Sequence, residues 1–132
     1  MSGNGRRIPI GYLLDTWAWI EYFSGNRKTR RYILGDEPLI TSVVTITEIV
    51  RYCRKTGNTD LMGSMIQEIG LRSDIVPVSQ DIAFRAGEHY NHDVDGIADS
   101  LILATARDTR YQYRIVTGDP HFRKLPETVF IG

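Results

Sequence analysis

A chain of 132 residues suits one domain built around one core, and a 42% apolar share is ordinary for a globular protein. Sixteen basic residues balance sixteen acidic ones, so the strong positive charge of many nucleic-acid binders is absent. No apolar run approaches the ~20 residues that cross a bilayer, and with Cys53 as the single cysteine no internal disulfide can form, which suits a reducing cytoplasm.

Residues 1–9 read as a flexible polar tail. Pro9, Gly11 and Asp15 interrupt the apolar stretch behind Arg6 and Arg7, which argues against a targeting segment. The single expected domain spans 10–132. Residues 10–14 form a short apolar run, the first predicted strand. Residues 16–23 follow as a helix, stopped by Ser24, Gly25 and Asn26. A second helix covers 27–34 and closes at Gly35, and residues 39–41 read as a strand. Residues 45–55 read as a helix with a capping box of Thr45 and Glu48 and with Gly57 behind it. Leu61, Met62, Met65, Ile66 and Ile69 recur at helical spacing. The strand predicted at 75–78 contains Pro77, which suits a sheet edge. Ser79 opens a helix reaching about Tyr90, and Ile97, Ala98, Leu101, Ile102, Ala104 and Thr105 define another. Residues 114–117 are a strand, Gly118-Asp119-Pro120 opens a helical turn, and 128–131 form the last strand. Helices separate nearly all the strands. The expected fold is therefore α/β, with a mainly parallel sheet covered on both faces.

In such sheets the functional crevice lies beyond the carboxyl ends of the strands. Four acids fall there. Asp15 and Asp119 follow strands, and Glu48 and Asp99 lie in first turns of helices leaving the same edge. Each has an ordinary explanation: Asp15 with Thr16, and Asp119 with Pro120, suit helix caps. Glu48 completes the capping box, and Asp99 complements a helix N-terminus for ~0.3–1 kcal/mol. The combination is less ordinary. Asp15 ends an almost wholly apolar strand, and Asp99 interrupts an apolar helical face. Gathered carboxylates raise one another's pKa unless a cation neutralises them. Four at one edge point to a hard divalent cation and to phosphodiester chemistry.

Thirteen of the sixteen bases are arginine, whose planar fork suits phosphate. Arg27, Lys28, Arg30 and Arg31 form one cluster and Arg51, Arg54 and Lys55 another, with Arg123 and Lys124 close behind Asp119. Solvated helix faces account for most such clusters. His89, His92, Asp93 and Asp95 make a second polar group, read as a loop rather than a zinc site because cysteine ligands are missing. Asp95 suits a cap of the following helix or a spare acid near the main pocket. His121 reads as a surface residue beside core-facing Phe122, with protonation of a leaving group as its functional alternative. Trp17, Trp19, Tyr22 and Phe23 crowd one helix and fit a core or a dimer interface better than base stacking.

Four segments together resemble the PIN domain family. They are Tyr12-Leu13-Leu14-Asp15-Thr16, the helical Glu48, the run from Asp99-Ser100-Leu101 to Ala106, and Thr117-Gly118-Asp119-Pro120-His121-Phe122. Length and spacing resemble its VapC branch, the ribonuclease toxins of type II toxin–antitoxin pairs. The resemblance runs from Ile10 onward, and the last two segments carry most of its specificity. It implies a PIN-like three-layer α/β/α sandwich and an endoribonuclease using Mg²⁺ or Mn²⁺. Asp15, Glu48, Asp99 and Asp119 match the family's acids, with Asp15, Asp99 and Asp119 as the expected direct metal ligands and Glu48 either binding through water or orienting the nucleophile. Thr117 matches its hydroxyl residue and Thr16 the small polar residue after the first acid. Trp17 departs from the pattern, standing where many relatives carry Asn or another small polar residue. The resemblance further implies an RNA substrate, a small antitoxin partner and a homodimer. Arg27, Lys28, Arg30 and Arg31 are the expected backbone-binding residues.

Three other readings compete. A PIN nuclease of RNA processing need not be a toxin, and a PIN-like module can bind partners without catalysis. A receiver-type phosphoacceptor also gathers acids at strand ends, but it needs a lysine on a late strand. Here that strand ends in Thr117-Gly118-Asp119.

Overall fold

The computed structural model describes residues 11–89, 94, 96–108 and 110–132. The expectations for the tail, for Ile10 and for His92, Asp93 and Asp95 lie outside these residues, as does the side chain of His89. The elements run β1 (Tyr12–Leu14), α1 (Thr16–Phe23), α2 (Arg27–Ile33), β2 (Leu39–Ser42), α3 (Val43–Thr56), α4 (Thr59–Arg72), β3 (Asp74–Val76), α5 (Gln80–His89), α6 (Ile97–Arg107), β4 (Arg114–Thr117), a 3₁₀ turn (Pro120–Phe122) and β5 (Thr128–Phe130).

Neighbouring side chains on a strand point to opposite faces. Leu13, Ile40 and Ile115 therefore enter one core, while Leu14, Leu39 and Val116 enter the other. A strand apolar on both faces must be covered on both. Ile82 and Ala86 of α5, Ile102 and Leu103 of α6, and Phe122 cover the first face. Trp19 of α1, Ile33 of α2, Ile49 and Cys53 of α3, and Met65 and Ile69 of α4 cover the second. The result is the expected PIN-like α/β/α sandwich. All the pairings are parallel, in the order β3-β2-β1-β4-β5. The strand expected at 75–78 is an edge strand, but it runs Asp74–Val76 and Pro77 lies just beyond its end. From β1 the chain winds outward through β2 to β3, then returns to β4 on the other side of β1. That reversal is the switch point at which open α/β sheets place their sites. Among the described residues no helix is long and apolar enough to cross a membrane.

One local expectation fails. β2 runs one residue further, to Ser42, and α3 begins at Val43. Ser42 is the N-cap, its hydroxyl accepting from the Val44 amide at 3.1 Å. The Thr45–Glu48 capping box is thus not formed: Thr45 is already inside the helix and buried, and Glu48 lies in the second turn. Two β-branched valines open α3, although such residues are stiff and favour sheets. The serine cap overrides them. α4 also extends beyond its apolar run, from Thr59 to Arg72.

Trp19 is fully buried, and its indole N–H donates to Thr41 Oγ1 at 3.0 Å. Thr41 and Ser73 hydroxyls lie 2.7 Å apart, and Ser73 donates onward to the Ile69 carbonyl at 2.8 Å. This chain ties α1, β2 and α4 together and leaves no polar atom of the three unmatched. Thr41→Val keeps the shape and removes the acceptor, leaving the indole N–H unpaired. We expect a loss of about 1–3 kcal/mol, read as a lower urea midpoint at unchanged slope; an unchanged midpoint would contradict this role.

Candidate active site

β1 and β4 pair with Leu14 opposite Val116, so the next residues, Asp15 and Thr117, meet across the strands. Thr117 Oγ1 donates to Asp15 Oδ2 at 2.5 Å. The same hydroxyl accepts from the Asp119 amide at 2.8 Å, linking the first acid to the last. Asp15 Oδ1 accepts from the Ala18 amide at 2.9 Å, so Asp15 also caps α1. The capping explanation and the clustering explanation hold at once. Asp15 is only 2% exposed. Burial pushes its pKa up to about 7, against the Thr117 and Ala18 hydrogen bonds, and the charges of Asp119 and Asp99 push the same way as burial.

Asp119 caps the 3₁₀ turn, its Oδ1 accepting from the His121 amide at 2.9 Å. Pro120 fits the first position of that turn because it brings no N–H to satisfy. The turn swings the His121 ring back over the acids. Its Nδ1 lies 3.1 Å from Asp99 Oδ2 and 3.3 Å from Asp119 Oδ1. Asp99 is the third residue of α6. Burial pushes its pKa up to about 6; Asp119 and Glu48 add repulsion, and His121 opposes the shift. Thr16 donates its hydroxyl to Glu48 Oε1, and the Thr16 and Thr45 hydroxyls lie 3.1 Å apart. The two threonines singled out in the sequence thus each hold one acid: Thr117 holds Asp15 and Thr16 holds Glu48.

One ligand atom each from Asp99, Asp119 and His121 lies within 4.8 Å of the others. Ligands at ~2.0–2.6 Å from a common ion fall within such a span. The carboxylate oxygens suit Mg²⁺ or Mn²⁺, the one imidazole is a donor that later transition metals also favour, and the thiolates of softer sites are missing. Both Asp15 oxygens are engaged, but a carboxylate oxygen keeps a second lone pair. The donor chemistry therefore fits a hard divalent cation.

His121 is the residue that sequence reasoning undervalued. Its half-exposed ring belongs to the acid cluster, a contact that depends on how the 3₁₀ turn folds. Trp17 covers Gly118 so closely that a Cβ there would come within 2.3 Å of the indole ring. Only glycine fits between that ring and the strand, and Trp17 forms a wall next to Asp119. Arg27, Lys28, Arg30 and Arg31 are exposed on α2. Among the described residues none of them has a hydrogen bond or ion pair to the acids.

The raised pKa values carry a stability consequence. Folding raises the pKa of Asp15 and Asp99 from 3.8 to about 7 and about 6. The folded state therefore holds protons that the unfolded chain has released. The stability from these two groups is complete below about pH 4 and is lost as pH rises through 6 and 7. In EDTA the melting temperature should fall between pH 5 and 7.5. Asp99→Asn should flatten that fall and melt higher than the parent chain at pH 7.5, where Mg²⁺ should also stabilise the parent by mass action. Asp99→Asn melting below the parent in EDTA at pH 7.5 would make Asp99 a structural acid.

The profile of the PIN domain matches residues 12–128. Comparison with curated proteins finds no match. Among solved structures, a toxin–antitoxin complex from Klebsiella pneumoniae aligns at 26% identity and a TM-score of 0.74, covering 89% of this chain and 95% of that one. The DNA-bound VapBC of Salmonella typhimurium aligns at 17% identity and a TM-score of 0.72, covering 92% and 97%. A sarcin–ricin-loop-cleaving VapC toxin of Mycobacterium tuberculosis aligns at 16% identity and a TM-score of 0.68, covering 85% and 92%. With a profile match spanning the first four strands, both helical layers and all four acids, the chain belongs to the PIN domain family.

Proposed function

We propose that this chain is a divalent-metal-dependent endoribonuclease, a hydrolase of RNA phosphodiester bonds, acting as the toxin of a type II toxin–antitoxin pair. The observation that carries the nuclease reading is the meeting of Asp15, Asp99 and Asp119 at the sheet's switch point, with Glu48 close enough to repel Asp99. The toxin reading draws support from the Klebsiella pneumoniae toxin–antitoxin complex, similar at 26% identity over nearly the whole chain. The RNA reading draws support from the Mycobacterium tuberculosis relative, described as cleaving the sarcin–ricin loop.

Asp99 and Asp119 would hold Mg²⁺ or Mn²⁺, with Asp15 as the third carboxylate. A bound divalent cation supplies Lewis-acid stabilisation of charge on phosphoryl oxygens and makes water easier to ionise. The protein's own groups do the rest. Thr117 fixes the Asp15 carboxylate, and the Asp119 amide fixes Thr117, so two ligands move as one unit. Glu48, steadied by Thr16, is placed to orient a water and accept its proton. In-line attack of that water on phosphorus makes one P–O bond as another breaks. Trp17 narrows the approach next to Asp119.

The proposed partners are an RNA substrate, a small cognate antitoxin and a second copy of this chain, in the cytoplasm. Of the four aromatics expected in a core or a dimer interface, Trp19 is committed to the core and Trp17 to the wall over Gly118. Tyr22 and Phe23 remain half-buried beside Leu61 and Met65 and border a shallow groove. That groove is the surface we assign to association.

Purified protein freed of any partner should cleave RNA with Mg²⁺ or Mn²⁺ and stop in EDTA. Asp99→Asn or Asp119→Asn should lower the rate at least ~100-fold while circular dichroism shows an intact fold. Expressed alone, the chain should arrest growth; co-expressed with the product of an adjacent reading frame, it should not. Full activity in either variant would remove the acid cluster from catalysis, and RNA cleavage without growth arrest would leave a nuclease that is not a toxin.

A further inference from the structure

A second cluster of bases, on α3 rather than on α2, shares a groove with one acid of the site, Glu48. Arg51, Arg54 and Lys55 line one groove of about 660 Å³ together with Glu48, Thr16 and Tyr52. Glu48, Arg51, Tyr52 and Lys55 follow helical spacing, so one face of α3 carries an acid of the site and then bases. At 1.5 Å per residue, Glu48 and Lys55 are roughly 10 Å apart along the axis. The three bases are exposed, and among the described residues none has an ion pair or a side-chain hydrogen bond. Arg54 and Lys55 in the last turn complement the helix dipole. That accounts for their sign, but not for a groove shared with Glu48 or for the base at Arg51 a turn earlier. Half-buried Tyr52 lies in the same groove, where a base can stack on an aromatic ring.

Resting on the ribonuclease reading above, we infer that the substrate strand passes the acids along α3, with phosphates beside the cleaved bond held by Arg51, Arg54 and Lys55. The acids repel phosphate unless a cation intervenes, so a neutral chain needs a local positive track to hold a polyanion next to them. Arginine's planar fork suits that task. An acidic protein segment would match the charge too, but would not need the groove to end at Glu48 and Thr16.

The test uses the full chain and a fluorescein-labelled single-stranded RNA 12-mer of mixed sequence, with Ca²⁺ replacing Mg²⁺ to limit turnover. Binding is followed by anisotropy from 25 to 200 mM NaCl. Each phosphate contact contributes about 0.7 to the slope of log K against log salt for single strands. Arg51→Gln/Arg54→Gln/Lys55→Gln should reduce the slope by about 2. Lys55→Gln alone, the mildest change, should reduce it by about 0.7. The same substitutions at Arg27, Lys28, Arg30 and Arg31 should leave the slope unchanged. In Mg²⁺ the triple variant should raise KM for RNA cleavage at least tenfold with kcat within twofold. An unchanged slope in both α3 variants while the parent still cleaves RNA would overturn this inference and spare the nuclease reading. So would a loss confined to a polyglutamate 12-mer, which would make the groove a protein-docking face. A parent chain that neither binds nor cleaves RNA would overturn both.

Discussion

The hydrogen bond from Thr117 to Asp15 joins residues 102 positions apart in the chain, at the ends of two neighbouring parallel strands. It forms because β1 and β4 are adjacent and in register, so it reports the topology as much as the site. A carboxylate at 2% exposure is costly to ionise. Thr117 and the Ala18 amide offset part of that cost, and the acid remains pushed up to about 7. The sheet could bury a leucine here more cheaply. Capping α1 accounts for one of its oxygens; the second, turned to Thr117 and repelled by Asp99 and Asp119, is what a cap alone does not require.

The rest of the cluster follows from three different devices. Asp119 is tied through its own amide to Thr117, so the end of β4 sets two acids at once. Asp99 is carried by the first turn of α6, which crosses to the same edge. Glu48 comes from the second turn of α3 and is steadied by Thr16. The His121 ring lies between Asp99 and Asp119, its Nδ1 3.1 Å from one and 3.3 Å from the other. Repulsion between like charges is thus concentrated in one small volume.

Several of these features were legible in the sequence because they are local. Asp15 and Thr16 after an apolar run, Pro120 after Asp119, Gly57 behind a helix and Pro77 at a strand's end each carry their meaning within a few residues. α1 matches its predicted bounds for that reason. The start of α3 was not legible, since Val43 and Val44 favour a strand and Ser42 decides otherwise only once β2 has placed it. Register is not local either, so the Asp15–Thr117 bond and the His121 contacts had to wait for the fold. Grooves are not local either: that Arg51, Arg54 and Lys55 line one groove with Glu48 follows from the fold, not from their density in the sequence.

The central claim is that this acid cluster is a cation site and not a set of coincident helix caps. A crystal soaked in Mn²⁺ and measured for anomalous scattering tests it most directly. The account predicts a peak about 2 Å from carboxylate oxygens of Asp99 and Asp119, on the side that His121 faces. Mn²⁺ bound elsewhere, or no peak while both carboxylates keep their present hydrogen bonds, would contradict it.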